Sequence, residues 1–248
     1  MRRQDQPPFA GAGILPVDKP LFWTSFDVVN FVRSRFNIRK AGHCGTLDPA
    51  ATGLLILTLG RFTALSDRFS GQDKRYEAEM LFGVETDSGD LDGQVVFRAD
   101  ASHVTEKEIR DTLAGFVGDL MQTPPMVSAV KVGGRKLCDL ARKGKEVARE
   151  PRPVRIYRLD VTGCTPPLCR FTLECSKGTY VRALCSDAGK KLGTGGVLTA
   201  LRRTRSGRFD VKDALTVEEL KRFSQDDLAK YLTAFAAKFD QENGNEFP

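Results

Sequence analysis

Leu54-Leu55-Ile56-Leu57-Thr58-Leu59 follows directly on a loop dense in glycine and proline, Ala41-Gly42-His43-Cys44-Gly45-Thr46-Leu47-Asp48-Pro49-Ala50-Ala51-Thr52-Gly53. The apolar run is far too short to span a bilayer, which takes about 20 residues. It fits a core strand bounded by turn residues. The loop before it carries one acid, Asp48, five residues after His43, one of only two histidines. A carboxylate mounted on a rigid turn against a core strand is held still, as a nucleophile, a base or a metal ligand must be. Aspartate before proline also stabilises turns without any chemistry. Spacing alone leaves both readings open.

The rest of the chain mixes strands and helices without strict alternation. Gly13 to Lys19 reads as a strand ended by a turn at Pro20. Ser25 is placed to cap a helix carrying Phe26, Val29, Val32 and Phe36 at helical spacing. Phe62, Leu65 and Phe69 suggest a short helix closed by Gly71. Residues 74–83 alternate, with Tyr76, Ala78, Met80 and Phe82 on one face, which predicts a half-buried strand. Asp92-Gly93 marks a turn into Gln94-Val95-Val96-Phe97. Thr105 and Glu108 form a capping-box pattern before Ile109, Leu113 and Phe116; Gln122-Thr123-Pro124-Pro125 is expected to break that helix. Ser128 to Val132 is expected as a strand, Gly133-Gly134 as a turn, and Leu137, Leu140 and Ala141 as a short helix ending near Gly144. Val154 to Val161 and Arg170 to Cys175 read as paired strands, followed by a helix from Tyr180 to about Leu192. Thr216 and Glu219 open a C-terminal helical region, and the tail after Asp240 is expected to be disordered. The fold class expected is α+β.

Net charge is +6 over 248 residues, and the excess is local. Residues 131–155 hold nine basic residues against three acids, a surplus equal to that of the whole chain. Arg202, Arg203, Arg205 and Arg208 form a second cluster. Each alone fits a solvated face; together they point to a polyanionic partner. The six cysteines have no C-x-x-C spacing, and the last four lie far from both histidines, so neither a zinc site nor a disulfide framework is expected. The N-terminus has no apolar stretch after Arg2-Arg3, so the expected compartment is the cytoplasm.

Other candidate residues carry two readings each. Tyr76 is a core tyrosine, a platform for a nucleobase or a phenol placed for proton transfer. Arg182, early in its helix, is a surface arginine or the counter-ion of a carboxylate. His43 is a turn histidine or a neighbour of the reactive acid. Gly42-x-x-Gly45 lacks the lysine and serine of a phosphate-binding loop.

Five ordered segments resemble one family. They are Gly13-Ile14-Leu15-Pro16-Val17-Asp18-Lys19-Pro20 with Thr24-Ser25; Ala41 to Gly53; Asp73-Lys74-Arg75-Tyr76; Gln122-Thr123-Pro124-Pro125-Met126-Val127-Ser128-Ala129-Val130-Lys131; and Cys175-Ser176-Lys177-Gly178-Thr179-Tyr180-Val181-Arg182. Together they resemble the TruB family of bacterial tRNA pseudouridine-55 synthases, over roughly residues 12–210. The resemblance implies a pseudouridine synthase fold, a mixed and mostly antiparallel central sheet flanked by helices. It implies conversion of uridine-55 in the tRNA T loop to pseudouridine, without cofactor or metal, by a monomer with no obligatory protein partner and no membrane. Asp48 is then the nucleophile, Tyr76 lies against the target base and Arg182 pairs with the aspartate. His43 helps extrude the base, Tyr180 and Leu201 are pocket positions, and Lys19 and Lys131 join the substrate-binding set.

The same resemblance divides the chain into a flexible N-terminus (1–12), a catalytic domain (13–215) with a mobile basic thumb at about 124–152, and a short helical C-terminal region (216–240). No full RNA-binding domain of the PUA type is expected there. Two positions depart from the family pattern: Cys44 stands where threonine is usual, and Phe22 where glycine is common after Lys19-Pro20.

Overall fold

The computed structural model describes residues 7–244 except Ala129, Arg142, Lys143 and Glu146. Its contacts divide it into two units, residues 1–72 with 202–248, and residues 73–201.

The first unit begins with β1 (Gly13–Lys19), α1 (Ser25–Arg35), β2 (Ala41–Cys44), β3 (Ala51–Leu59) and α2 (Ser66–Ser70). β3 is buried almost throughout and pairs antiparallel with both β1 and β2. The helix cap falls one residue before the expected Ser25. Thr24 accepts from the Asp27 amide and Asp27 answers in a capping box, which frees the Ser25 hydroxyl for another partner. Phe26 is 60% exposed, and Val28, Val29, Val32 and Phe36 form the buried face instead. Of the N-terminal stretch expected to be flexible, residues 1–6 lie outside the described residues, and the Phe9 amide donates to the Asn37 carbonyl at 3.2 Å.

The second unit holds β4 (Lys74–Phe82), β5 (Val84–Thr86), β6 (Val95–Arg98), α3 (Glu106–Ala114), β7 (Gly118–Gln122), β8 (Lys131–Val132), β9 (Arg135–Lys136), α4 (Leu137–Ala141), β10 (Arg152–Thr165), β11 (Leu168–Cys175) and α5 (Val181–Lys191). β4, β11, β10 and β7 form an antiparallel sheet in that order. β4 alternates as its sequence demands, with Tyr76, Ala78, Met80 and Phe82 inward. Two expectations need correction. α3 ends at Gly115, well before Pro124, because residues 118–122 leave the helix and join β10 as β7. The strand expected over Ser128–Val132 shrinks to the two residues of β8, hairpinned to β9 across Gly133-Gly134. Ala129, Arg142, Lys143 and Glu146, which fall in the expected thumb, lie outside the described residues.

β12 (Gly196–Ser206), which sequence reasoning missed, carries the chain from the second unit back to the first. There it is followed by β13 (Phe209–Asp210), β14 (Leu215–Thr216), α6 (Val217–Arg222) and α7 (Gln225–Asn243). β14 runs parallel to β1, so the first unit's sheet is mixed. The C-terminal helical region is two helices, each opened by a capping box, at Thr216/Glu219 and Ser224/Asp227. α7 continues three residues past Asp240. Its Tyr231, Phe235 and Phe239 recur every four residues and stack in series, with Phe209 set 4.5 Å from Phe239.

Candidate active site

Asp48 sits in the connection between β2 and β3, and the backbone around it is tied from three directions. The Ser25 hydroxyl both receives the Leu47 amide at 2.8 Å and donates to the Leu47 carbonyl at 3.1 Å, which pins the residue before Asp48. The Ala51 amide closes the turn on the Asp48 carbonyl at 3.0 Å. Arg203, 1% exposed, spends its guanidinium on backbone: Nε donates to the Leu54 carbonyl at 2.7 Å, and the two terminal nitrogens donate to Gly45 at 3.0 Å and Thr46 at 3.4 Å. Gly53 makes this approach possible. Its φ is +98°, and a Cβ there would collide with the Arg203 carbonyl.

Lys19 closes the third side. It is fully buried, and its ammonium donates to Pro20 O at 2.9 Å, Trp23 O at 2.6 Å and Pro49 O at 3.4 Å. Burial pulls its pKa down to about 8, opposed by the attraction of the Asp48 charge. The expectation that Lys19 belongs to the substrate-binding set thus meets a side chain already occupied by three carbonyls. His43, on β2 opposite Leu57, is half-buried and lies in the same unit as Asp48 and Lys19.

The remaining expected residues belong to the second unit. Tyr76 is 8% exposed and opposite Leu173 of β11. Tyr180 caps α5, and its backbone is held at both ends by one amide: Gln122 Nε2 donates to Tyr180 O at 3.0 Å, and the Tyr180 N–H donates to Gln122 Oε1 at 2.7 Å. Leu201 lies in β12, half-buried. Lys131 lies at the start of β8, opposite Lys136.

Arg182, in the first turn of α5, is 3% exposed, so it is no surface arginine. Its terminal nitrogens donate to Ser88 O and Val127 O, both at 2.8 Å, and its Nε lies 3.4 Å from Asp90 Oδ2. Asp90 is itself fixed, with Oδ1 accepting from the Ser88 hydroxyl at 2.5 Å and the Asp92 amide at 3.2 Å. Sequence reasoning did not name Asp90. The available signal was the turn-rich Asp87-Ser88-Gly89-Asp90, the kind of local loop that can present an acid. Arg182 also lines a cavity of about 250 Å³ with Ser88, Thr123, Arg149, Ser186 and Asp187. Burial raises the Asp187 pKa there.

Among the described residues no three histidine, cysteine or acidic side chains group as metal ligands, and no helix is long and apolar enough to cross a membrane. Among the described residues Cys44, Cys164, Cys169, Cys175 and Cys185 form no disulfide. Burial pushes Cys169 and Cys175 up to about 12, leaving them protonated and inert near neutrality.

Residues 33–181 match the model of the TruB family pseudouridylate synthase N-terminal domain, and residues 182–237 match the tRNA pseudouridylate synthase B C-terminal domain. The chain belongs to the TruB family of pseudouridylate synthases. It is 46% identical to the tRNA pseudouridine synthase B of Opitutus terrae, over 89% of this chain and 91% of that one. To the enzyme of the same name from Symbiobacterium thermophilum it is 51% identical, over 84% and 71%. Among solved structures it resembles a Cbf5-Nop10-Gar1 complex, with a TM-score of 0.66 and 29% identity, covering 94% of this chain and 56% of that one. An archaeal box H/ACA sRNP Nop10-Cbf5 complex gives 0.67 and 25%, covering 94% and 62%. The chain thus spans less than two thirds of those solved chains. These likenesses agree with the expected α+β pseudouridine synthase fold.

Proposed function

We propose that this chain isomerises uridine-55 in the T loop of tRNA to pseudouridine, with Asp48 as the nucleophile. The observation that carries the reading is the match to a tRNA pseudouridine synthase B along nearly the whole of both chains. The tied backbone on either side of Asp48 supports the role given to its carboxylate, since a nucleophile held in place needs little reorganisation.

The reaction breaks the N1–C1′ bond of uridine, rotates the uracil, forms a C5–C1′ bond and moves the C5 proton to N1. Atoms and electrons balance within one nucleotide, so neither an oxidant nor an energy source is consumed. A stacked base is out of reach and must be flipped, at a cost of a few kcal/mol. In this reading Tyr76 lies against the flipped base, Tyr180 and Leu201 border it, and His43 assists its extrusion. Arg182, held by Asp90, serves as the counter-ion of the Asp48 carboxylate. Lys131 and the basic segment 124–152 meet phosphates as a closing thumb, and Lys19 supports the Asp48 loop from beneath. The protein works as a cytoplasmic monomer, without metal or cofactor.

The test is incubation of the purified protein with an unmodified tRNA transcript, followed by mapping of pseudouridine at single-nucleotide resolution. Conversion at position 55 by wild type, lost in Asp48→Asn with tRNA binding retained, is the expected result. Modification elsewhere, or an active Asp48→Asn, overturns the reading. A bare T-arm hairpin serves as the second substrate; conversion only after partner proteins are added would refute the autonomous monomer.

A further inference from the structure

Phe22 combines two features that seldom coincide. Its φ is +66°, the left-handed region that a bulky side chain occupies at a cost of roughly 1–2 kcal/mol, and the residue is 78% exposed. Strain of this kind is ordinarily offset by packing, and an exposed ring recovers little of it. The turn is nonetheless anchored closely. The Phe22 amide donates to Pro49 O at 2.9 Å, the residue next to Asp48. Lys19 holds the carbonyls of Pro20 and Trp23 on either side. The Trp23 ring packs edge-on against Phe31 at 5.9 Å. The backbone is fixed, its neighbours are fixed, and an exposed aromatic residue sits beside the Asp48 loop. Leu21 and Phe26, also exposed, extend the apolar character on both sides in sequence.

We propose that the Phe22 ring is a stacking platform for an unpaired nucleobase of the RNA substrate, next to the nucleotide that Asp48 attacks. The inference rests on the reading of Asp48 as the RNA-modifying carboxylate. An aromatic face stacks on any base without hydrogen-bond readout. A ring mounted on a tied turn loses little freedom on binding, so the contact is realised in full. A platform beside the attacked nucleotide holds its unstacked neighbour and so favours the flipped state.

The experiment compares wild type, Phe22→Gly, Phe22→Leu and Phe22→Trp for dissociation constant on a fluorescently labelled T-arm hairpin and for thermal midpoint. Phe22→Gly removes the ring at a backbone conformation glycine adopts freely, so its thermal midpoint is expected to equal or exceed that of wild type. Its affinity for the hairpin should fall about tenfold, the scale of one lost base stack. Phe22→Leu should lose a similar factor, and Phe22→Trp should bind as wild type does. Equal affinity of Phe22→Gly and wild type overturns the platform, and so does wild-type affinity in Phe22→Leu, because apolar bulk would then suffice. Failure of the parent reading has a different signature: wild type itself would neither bind nor convert the hairpin.

Discussion

Arg182 and Asp90 form a buried ion pair, Nε to Oδ2 at 3.4 Å, with side chains 4% and 9% exposed. The pair is local to one unit and ties α5 to the turn after β5. A guanidinium shared between a carboxylate and the two carbonyls of Ser88 and Val127 has a fixed plane, which is what a positioning group for a second carboxylate requires.

Breaking this pair from the acid side takes a carboxylate away from a buried guanidinium. Asp90→Ala is expected to cost about 3–5 kcal/mol of stability, read as a lower urea midpoint, together with a large fall in kcat. Asp90→Asn keeps the side-chain volume and should lose less stability than Asp90→Ala while still lowering kcat. Wild-type kcat in both variants would refute the positioning role.

Ser25 holds both backbone groups of Leu47, and no other residue type of that size donates and accepts at once. Ser25→Ala should destabilise the protein by about 1–3 kcal/mol, since a buried amide and carbonyl lose their partner. It should also lower kcat more than it changes tRNA affinity, because the displaced group is the mount of Asp48. The check is a parallel measurement of the thermal midpoint, kcat and the dissociation constant.

Gln122 donates to one Tyr180 backbone group and accepts from the other, a reciprocity that a carboxylate cannot reproduce. Gln122→Glu keeps the shape and the acceptor but sets an oxygen against Tyr180 O. A loss of about 1–3 kcal/mol is expected, larger at pH 8 than at pH 5, where the substituted carboxyl is partly protonated and donates again. A pH-independent loss would contradict the donor role of the amide.

Lys19 gives a pH dependence of definite sign. Its folded pKa of about 8 lies below the ordinary value of 10.5. Below about pH 8 the group is charged in both states and the cost of burying the ammonium is borne in full. Between pH 8 and 10.5 the unfolded chain binds the extra proton, so this residue's contribution to stability improves as pH rises. The stability of wild type relative to Lys19→Met should therefore increase from pH 7.5 to pH 10 in urea unfolding. A flat or falling difference would argue against a depressed pKa.

The parts of the fold that were legible are those where local chemistry decides. The period-two pattern at 74–83 gave β4, and the Thr105/Glu108 and Thr216/Glu219 pairs gave the starts of α3 and α6, because capping is read within four residues. β12 stayed hidden because its second half reads as a basic cluster. Arg203 looks like a phosphate contact in the sequence and is instead a buried clamp on three backbone carbonyls, a role visible only once residues far apart meet. Ser25 was mistaken for the cap because Thr24 and Ser25 are both good caps, and the Leu47 backbone across the fold chose between them. Asp90 was missed for the same reason: the fold brings it to Arg182 from 92 positions away in the numbering.

The clamp by Arg203 has a consequence for the timing of biogenesis. The Asp48 loop is made before the guanidinium that fixes it, which follows 157 positions after Thr46. A nascent chain that has not reached Arg203 holds the Asp48 carboxylate on an unfinished mount, with the carbonyls of Gly45, Thr46 and Leu54 still paired to water. The Asp48 mount is therefore completed only after Arg203 has been made and has folded back onto it, and a nascent chain emerging beside abundant RNA before that point lacks it.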